Sequence, residues 1–312
     1  MGKLEQVLGI KRDILYDVAA HAGKYYRPYD EKKIGRVKIR HIDNPRWKLK
    51  FIQKRILKRL LAEHIKQLPD GMVGGVTGKS IIDNASPHTN QEMVVTIDLK
   101  NCFPSTKAAK VLRIWRDLVG CGARQADLLT KLTTFRTILP QGAPTSSALS
   151  NLVLLPLYME IQTYAEKHGL NASTNYVDDF TLSGRAKVVK SAIQFVIRRI
   201  QKYGYAVRRK KVVVMPAHKK QKTTGLLLNK KVNIARKRRE EARNKIIAIK
   251  KRATGITEKE QRSIKGDILF IKRISSKKAE KLRVFAEMLL PENYMPDFET
   301  VNSERWNCRH HK

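Results

Sequence analysis

The sequence is poor in acid: 28 Asp and Glu stand against 64 Lys and Arg, a formal charge of +36 at pH 7 and a pI near 10.3. Self-repulsion of that size opposes a compact state unless a polyanion neutralises it, and nucleic acid is the obvious candidate. Long apolar runs are also missing. The longest, Leu152–Met159, is interrupted by Pro156 and falls far short of the roughly 18 residues a membrane span needs. The opening Met-Gly-Lys-Leu-Glu-Gln has no leader-like apolar core, and Gln6 stands where N-myristoylation would need Ser or Thr. Cysteine is scarce, and Cys102, Cys121 and Cys308 form no close pair, which excludes a disulfide framework and a Cys-pair zinc site. These absences predict a reduced, cytoplasmic protein with no membrane contact. Internal repeats and low-complexity tracts are absent too. What remains, 312 residues with 42% apolar content, allows a sizeable core in two domains or in one domain with subdomains.

Hydrophobic spacing gives a coarse map. Leu4, Leu8, Leu15 and Val18 recur at helical spacing, and a Tyr-rich polar stretch follows. Residues 34–45 alternate apolar and basic (Val37, Ile39) up to Pro45 and predict strands. Leu49, Ile52, Ile56 and Leu60 mark one face of a basic helix, Gly71, Gly74, Gly75 and Gly78 a loop, and Lys79–Ala85 a short helix. A β-branched run over 93–99 predicts a strand ending in a carboxylate. Helices are expected over 106–133, 146–167 and 187–203, a hairpin over 175–182, short strands over 205–214 and 223–234, and helices over 236–290.

Between Arg208 and Arg252 there are 18 Lys or Arg but only Glu240 and Glu241 as acids. A charge run is ordinarily a solvated helix face, yet here nothing offsets the repulsion. A track for a phosphate backbone explains it better, with Arg236, Lys237, Arg238, Arg239 and Arg243 as candidate contacts.

Tyr176-Val177-Asp178-Asp179-Phe180 sets two adjacent carboxylates between β-type runs. Asp-Asp is poor hairpin-turn chemistry, and neighbouring carboxylates raise each other's pKa unless a cation is present. An exposed acidic turn is the bland alternative. It weakens because Asp98 ends an apolar strand: if that strand lies beside the 175–182 hairpin, three carboxylates meet at one sheet end. Such a set offers hard oxygen ligands of the kind Mg²⁺ takes, enough for a two-metal site.

These residues carry a resemblance. Ile97-Asp98-Leu99 with Phe103-Pro104-Ser105, Leu139-Pro140-Gln141-Gly142-Ala143-Pro144-Thr145-Ser146 and Tyr176-Val177-Asp178-Asp179 resemble, in order, motifs A, B and C of reverse transcriptases. The resemblance implies an α+β right-hand polymerase: fingers, a palm of antiparallel sheet plus helices, and a helical thumb. It implies two Mg²⁺ ions on Asp98, the Leu99 carbonyl, Asp178 and Asp179, with dNTPs as substrates. By the same resemblance Phe103 is the aromatic gate against a ribose 2′-OH, Gln141 contacts the incoming nucleotide and template, and Arg40, with Lys38 beside it, holds the triphosphate. Lys210 or Lys211 is the motif D lysine, a choice left open.

Asn84-Ala85-Ser86-Pro87-His88 resembles the Asn-Ala-x-x-His signature of bacterial retron reverse transcriptases. Thr224-Gly225 resembles their Val-Thr-Gly signature, with Thr223 in place of Val. Motif C carries Val177 where many bacterial members have Ala. Asn84, His88, Thr224 and Gly225 are accordingly expected to touch RNA, although Asn84, Ser86 and Pro87 also read as helix-stopping chemistry. A retron enzyme implies a cognate structured non-coding RNA as template and primer, a branched RNA–DNA product (msDNA) started from a guanosine 2′-OH, and an effector protein for phage defence. The expected division is 1–92 as N-terminal helices and fingers, 93–222 as palm, and 223–312 as thumb and tail, with no maturase, endonuclease or RNase H part. Cys308, His310 and His311 read as a terminal tail rather than a metal site. A group II intron-like or diversity-generating reverse transcriptase, and a catalytically silent RNA-binding scaffold, are the competing readings.

Overall fold

The structure, a computed structural model of the chain, describes residues 4–32, 39–252 and 256–290. Helices α1 (Leu4–Leu8) and α2 (Arg12–Ala20) bury Leu4, Leu8, Leu15 and Val18. The Tyr-rich stretch is a strand: β1 (Tyr26–Lys32) pairs antiparallel with β2 (Ile39–Pro45). The basic helix α3 (Trp47–Ile56) runs through a π-type turn at Leu57–Leu61 into α4 (Ala62–Lys66). Helix α5 (Ile81–Ala85) is opened by a Ser80–Asp83 capping box and gives way to a 3₁₀ turn, Ser86–His88, at Pro87.

Strand β3 (Met93–Lys100) leads into α6 (Cys102–Ser105), α7 (Ala108–Arg113) and α8 (Ala123–Thr133). The helical stretch expected over 106–133 is thus divided into segments, and Gly120, at φ 73, lies at a break between them. Helix α9 (Ser146–His168) tolerates Pro156 and ends at Gly169 in the left-handed region. The hairpin β4 (Ala172–Tyr176) and β5 (Asp179–Gly184), helix α10 (Ala186–Lys202), and strands β6 (Ala206–Val207) and β7 (Val213–Pro216) follow. Short strands β8 (Lys222–Thr223), β9 (Leu226–Leu227) and β10 (Asn233–Ile234) precede α11 (Arg236–Lys250), α12 (Glu258–Lys272) and α13 (Ser276–Leu289).

The central antiparallel sheet runs β4-β5-β3-β6, with β7 also paired to β3. Strand periodicity gives it two unlike faces. Met93, Val95, Ile97, Leu99, Phe180 and Leu182 enter the main core, on the side where α10 packs on β3 and β5. Asp98, Asp179, Thr181 and Ser183 alternate with them and so occupy the other face. A second core joins α11, α12 and α13 to Val94 and Met215 of that face. No described helix is long and apolar enough to cross a membrane.

Candidate active site

Tyr176 pairs with Asp179, so Val177 and Asp178 alone make the β4–β5 turn. Val177 sits at φ 60, a left-handed position that costs a β-branched residue about 1–3 kcal/mol. Its surroundings hold it there. The Asn175 N–H donates to the Gly71 carbonyl (2.8 Å), the Asn175 carbonyl accepts from the Val73 N–H (2.9 Å), and the Asn175 amide donates to the Val177 carbonyl (3.3 Å). Gly74 backs the turn directly: a Cβ there would lie 2.4 Å from the Val177 nitrogen. Asn151 pins the Gly74 carbonyl at 2.8 Å. The glycine-rich stretch, read from sequence as a loop, is the bed of this turn.

The structure brings the three aspartates together. Asp98 lies directly opposite Asp179 on the neighbouring strand. The Leu99 N–H donates to the Asp178 carbonyl at 2.8 Å, so the Leu99 carbonyl, on the same strand edge, faces the same turn. Asp98 is 4% exposed. Lys211 Nζ donates to its Oδ2 at 2.7 Å, and the Arg208 guanidinium stands 3.3 Å from its Oδ1. Of the two motif D candidates, Lys211 pairs with Asp98, whereas Lys210 is not an Asp98 partner. Arg208 was not singled out in the sequence. Its signal is register, because its N–H donates to the Asp98 carbonyl at 2.9 Å, which puts the two residues opposite each other across β3 and β6.

Burial first, and then Asp178 and Asp98, push the Asp179 carboxyl up to about 7. Burial and Asp98 raise Asp178 as well, against the pull of Lys211 and Arg208. Among the described residues no three His, Cys, Asp or Glu side chains form a ready-made metal cluster; here the Asp98 carboxylate is held by its two cations. The donor set nevertheless fits a hard divalent cation. Asp98 Oδ1 is buried without a hydrogen-bond partner, and three mutually repelling carboxylates with an adjacent carbonyl offer the hard oxygen donors that a divalent cation takes.

Around this centre, Phe103 is half-buried on α6 against the main core. Gln141 is half-buried, and its carbonyl accepts from the Asp43 N–H at 2.8 Å, tying its loop to β2. Arg40 is exposed on β2, paired across the hairpin with Glu31. Lys38 lies outside the described residues, as do Cys308, His310 and His311.

Two expected RNA contacts need correcting. Asn84 and His88 are fully buried. His88 is bonded to the Ser183 and Thr174 hydroxyls at 2.7 and 2.8 Å. The Asn84 amide donates to Thr223 Oγ1 at 3.2 Å, which in turn meets the Thr181 hydroxyl at 2.8 Å. They staple α5 and the β8–β9 hairpin onto the polar sheet face, a role sequence spacing alone did not reveal. Thr224 (φ 45) and Gly225 (φ 85) form the two-residue turn of that hairpin, the conformation a type I′ connection demands. On α11, Arg238 and Arg243 lie over the Phe270 and Phe285 rings at 4.1 and 4.2 Å, and Arg236 is paired with Glu240. Lys237 is exposed, and Arg239 is half-buried.

A family model described as reverse transcriptase (RNA-dependent DNA polymerase) matches residues 31–228. The chain is 36% identical over 225 residues to the retron Ec86 reverse transcriptase of Escherichia coli, covering 71% of this chain and 69% of that protein. The chain belongs to the retron reverse transcriptases. It is also 30% identical over 270 residues to the retron Mx65 reverse transcriptase of Myxococcus xanthus, covering 80% of this chain and 61% of that protein. The retron Se72 reverse transcriptase of Salmonella heidelberg matches at 30% over 183 residues, 59% of this chain and 48% of that protein. Among solved structures, telomerase from Candida albicans in complex with a TWJ fragment of telomeric RNA gives a TM-score of 0.51 at 11% identity, covering 86% of this chain and 59% of that one. That likeness speaks to the fold alone: α+β, of the polymerase kind. As a retron reverse transcriptase, the protein is an RNA-directed DNA polymerase.

Proposed function

We propose that this retron reverse transcriptase copies a cognate structured non-coding RNA, its template and primer, into a branched RNA–DNA molecule by two-metal nucleotidyl transfer. The observation that carries this reading is Asp98 set opposite Asp179, with Asp178 on a strained turn beside the Leu99 carbonyl. Asp98, Asp178, Asp179 and the Leu99 carbonyl would hold two Mg²⁺ ions, which supply charge neutralisation at the transferring phosphate and activation of the attacking hydroxyl. Lys211 is half-exposed on a flexible stem, so its ammonium can leave Asp98 for the phosphates of the incoming dNTP. Arg40 offers a forked donor to the triphosphate, Gln141 positions base and template, and Phe103 excludes a 2′-OH by volume. Phe103→Ala is expected to raise ribonucleotide incorporation while the enzyme stays active, read by primer extension with rNTPs.

In this reading residues 1–92 serve as fingers, 93–222 as palm and 223–312 as thumb and tail. The basic face of α11 tracks RNA phosphates, the site of action is the cytoplasm, and an effector protein acts with the product in phage defence. The test is to isolate the protein from its host and sequence the nucleic acid bound to it. DNA joined covalently to an internal guanosine 2′-OH is expected; an active enzyme carrying only linear products would sink the branched-product reading.

A further inference from the structure

At the root of the β1–β2 hairpin lies a cavity of about 480 Å³, lined by His21, Lys24, Tyr25, Arg46, Trp47 and Lys48. The Arg46 N–H donates to the Tyr25 carbonyl at 2.7 Å, joining the two chain segments that form it. It lies apart from the nucleotide site proposed above. Arg40 lies five strand pairs along the hairpin from the Tyr26–Pro45 pair that adjoins the cavity, a distance of about 17 Å.

Two features of this cavity have little structural use among the described residues. Trp47 is 74% exposed, although a Trp ring ordinarily contributes by burying about 150–250 Å². Beside it stand the cations Lys24, Arg46 and Lys48, with Lys48 Nζ 5.7 Å from the ring centroid. The neighbouring carboxylate, Asp17, is already engaged by His21 Nδ1 at 3.2 Å and by the Tyr25 hydroxyl at 3.5 Å. An open indole ringed by cations matches one ligand chemistry, a planar base attached to a phosphate.

We infer that this cavity binds an unpaired nucleotide of single-stranded RNA, its base stacked on Trp47 and its flanking phosphates on Lys24, Arg46 and Lys48. The inference rests on the reading of the chain as an RNA-binding polymerase. Duplex RNA is disfavoured because its bases are stacked on one another and present no free face to the ring. An acidic peptide would use the cations but leave the indole uncovered. Stacking is indifferent to base identity, so the site discriminates single strand from duplex rather than one sequence from another.

The test titrates the full-length protein with a 12-nucleotide single-stranded RNA and with a duplex of the same sequence, following anisotropy and tryptophan fluorescence. The other two tryptophans, the fully buried Trp115 and Trp306, are retained in Trp47→Phe, so quenching by the single strand that vanishes in that variant reports the cavity. Trp47→Ala is expected to weaken single-strand binding about tenfold and to leave duplex binding unchanged, with Trp47→Phe restoring most of the loss. A combined Lys24→Ala, Arg46→Ala, Lys48→Ala variant should lower the salt slope for single-strand binding by about 2. Unchanged single-strand affinity in Trp47→Ala would overturn the inference, as would equal losses on single strand and duplex. So would loss of binding to a polyglutamate peptide with RNA binding intact, which would assign the cavity to a protein partner. Primer extension on the same preparations keeps the two readings apart. An inert enzyme that still binds RNA through Trp47 counts against the polymerase reading and for the cavity.

Discussion

The polar face of the central sheet is finished differently at its two ends. At one end Asn84, His88 and Thr223 fold down onto Thr174, Thr181 and Ser183, and the bonds there join uncharged groups. At the other end Asp98, Asp178 and Asp179 crowd together under Lys211 and Arg208, with Asp98 Oδ1 ion-paired to Arg208 but not hydrogen-bonded. Both ends are withdrawn from water, yet burial has opposite consequences. It drives His88 down to about 3 and keeps the ring neutral, while burial and like charge drive Asp179 up to about 7. A buried polar network rigidifies a fold when its members are satisfied and destabilises it when they are not. Asn84 Oδ1 at the closed end is also buried without a hydrogen-bond partner, so the two ends differ in charge: the closed end joins neutral groups, whereas the open end crowds carboxylates whose repulsion a divalent cation would relieve.

The contrast is broken most severely at the open end. Asp178→Asn with Asp179→Asn should lower primer extension by at least about 10³-fold while raising thermal stability measured without divalent ions. The sign follows from linkage. A carboxyl whose folded pKa lies above its unfolded value of 3.8 subtracts stability as pH rises from there through about 7. The variant's advantage should therefore grow with pH across that range, and a variant no more stable than the parent at pH 8 would show that the site stores no such cost. Gly74→Ala comes next. Its Cβ would meet backbone, 2.4 Å from the Val177 nitrogen, so the turn must shift. A misplacement of this kind costs about 10²-fold in rate, expected here in kcat more than in KM for dNTP.

How much of this contrast the sequence discloses differs by end. The open end was largely legible, because Asp-Asp between β-type runs violates turn chemistry and Asp98 ends an apolar strand. Pairing then had only to bring them side by side, as it does at Asp98–Asp179. Arg208 and Gly74 were not legible, since their roles depend on strand register and on a loop packed beneath a distant turn. At the closed end, Asn84 and His88 carried the right signature with the wrong orientation. An i, i+4 spacing shows that two residues share a helix face, not whether that face meets solvent or a sheet. Helices with long apolar stripes, such as α3 and α10, were read nearly to their ends. β1 was missed because its Tyr, Arg and Asp residues show no alternation, and its pairing with β2 decides its form.

A smaller effect sharpens the comparison from the closed side. In the unfolded chain His88 takes up a proton near pH 6.5, whereas in the fold it resists protonation until about pH 3. Stability is thus fully present above pH 6.5 and is lost as pH falls below it, by about 2 kcal/mol at pH 5. Urea unfolding at pH 7 and pH 5 should show that decrement in the parent and not in His88→Gln. The same slope in both proteins would move the acid sensitivity elsewhere.

The smallest effect tests whether the departure at Thr223 belongs to the closed end. Where the retron signature has Val, this chain has a buried Thr whose hydroxyl meets both the Asn84 amide and the Thr181 hydroxyl. Thr223→Val keeps the volume and restores the signature, but leaves two buried groups without this partner. It should destabilise the fold by about 1–2 kcal/mol, with an unchanged urea m-value and primer extension within about twofold. Combined with Asn84→Ala, the two losses should fall short of additivity by about 1 kcal/mol, since they remove one shared bond. Full additivity would mean that Asn84 and Thr223 hold the closed end independently. In that case the residue standing in for Val is a packing substitution, and His88 alone carries the polar seal between α5 and the sheet.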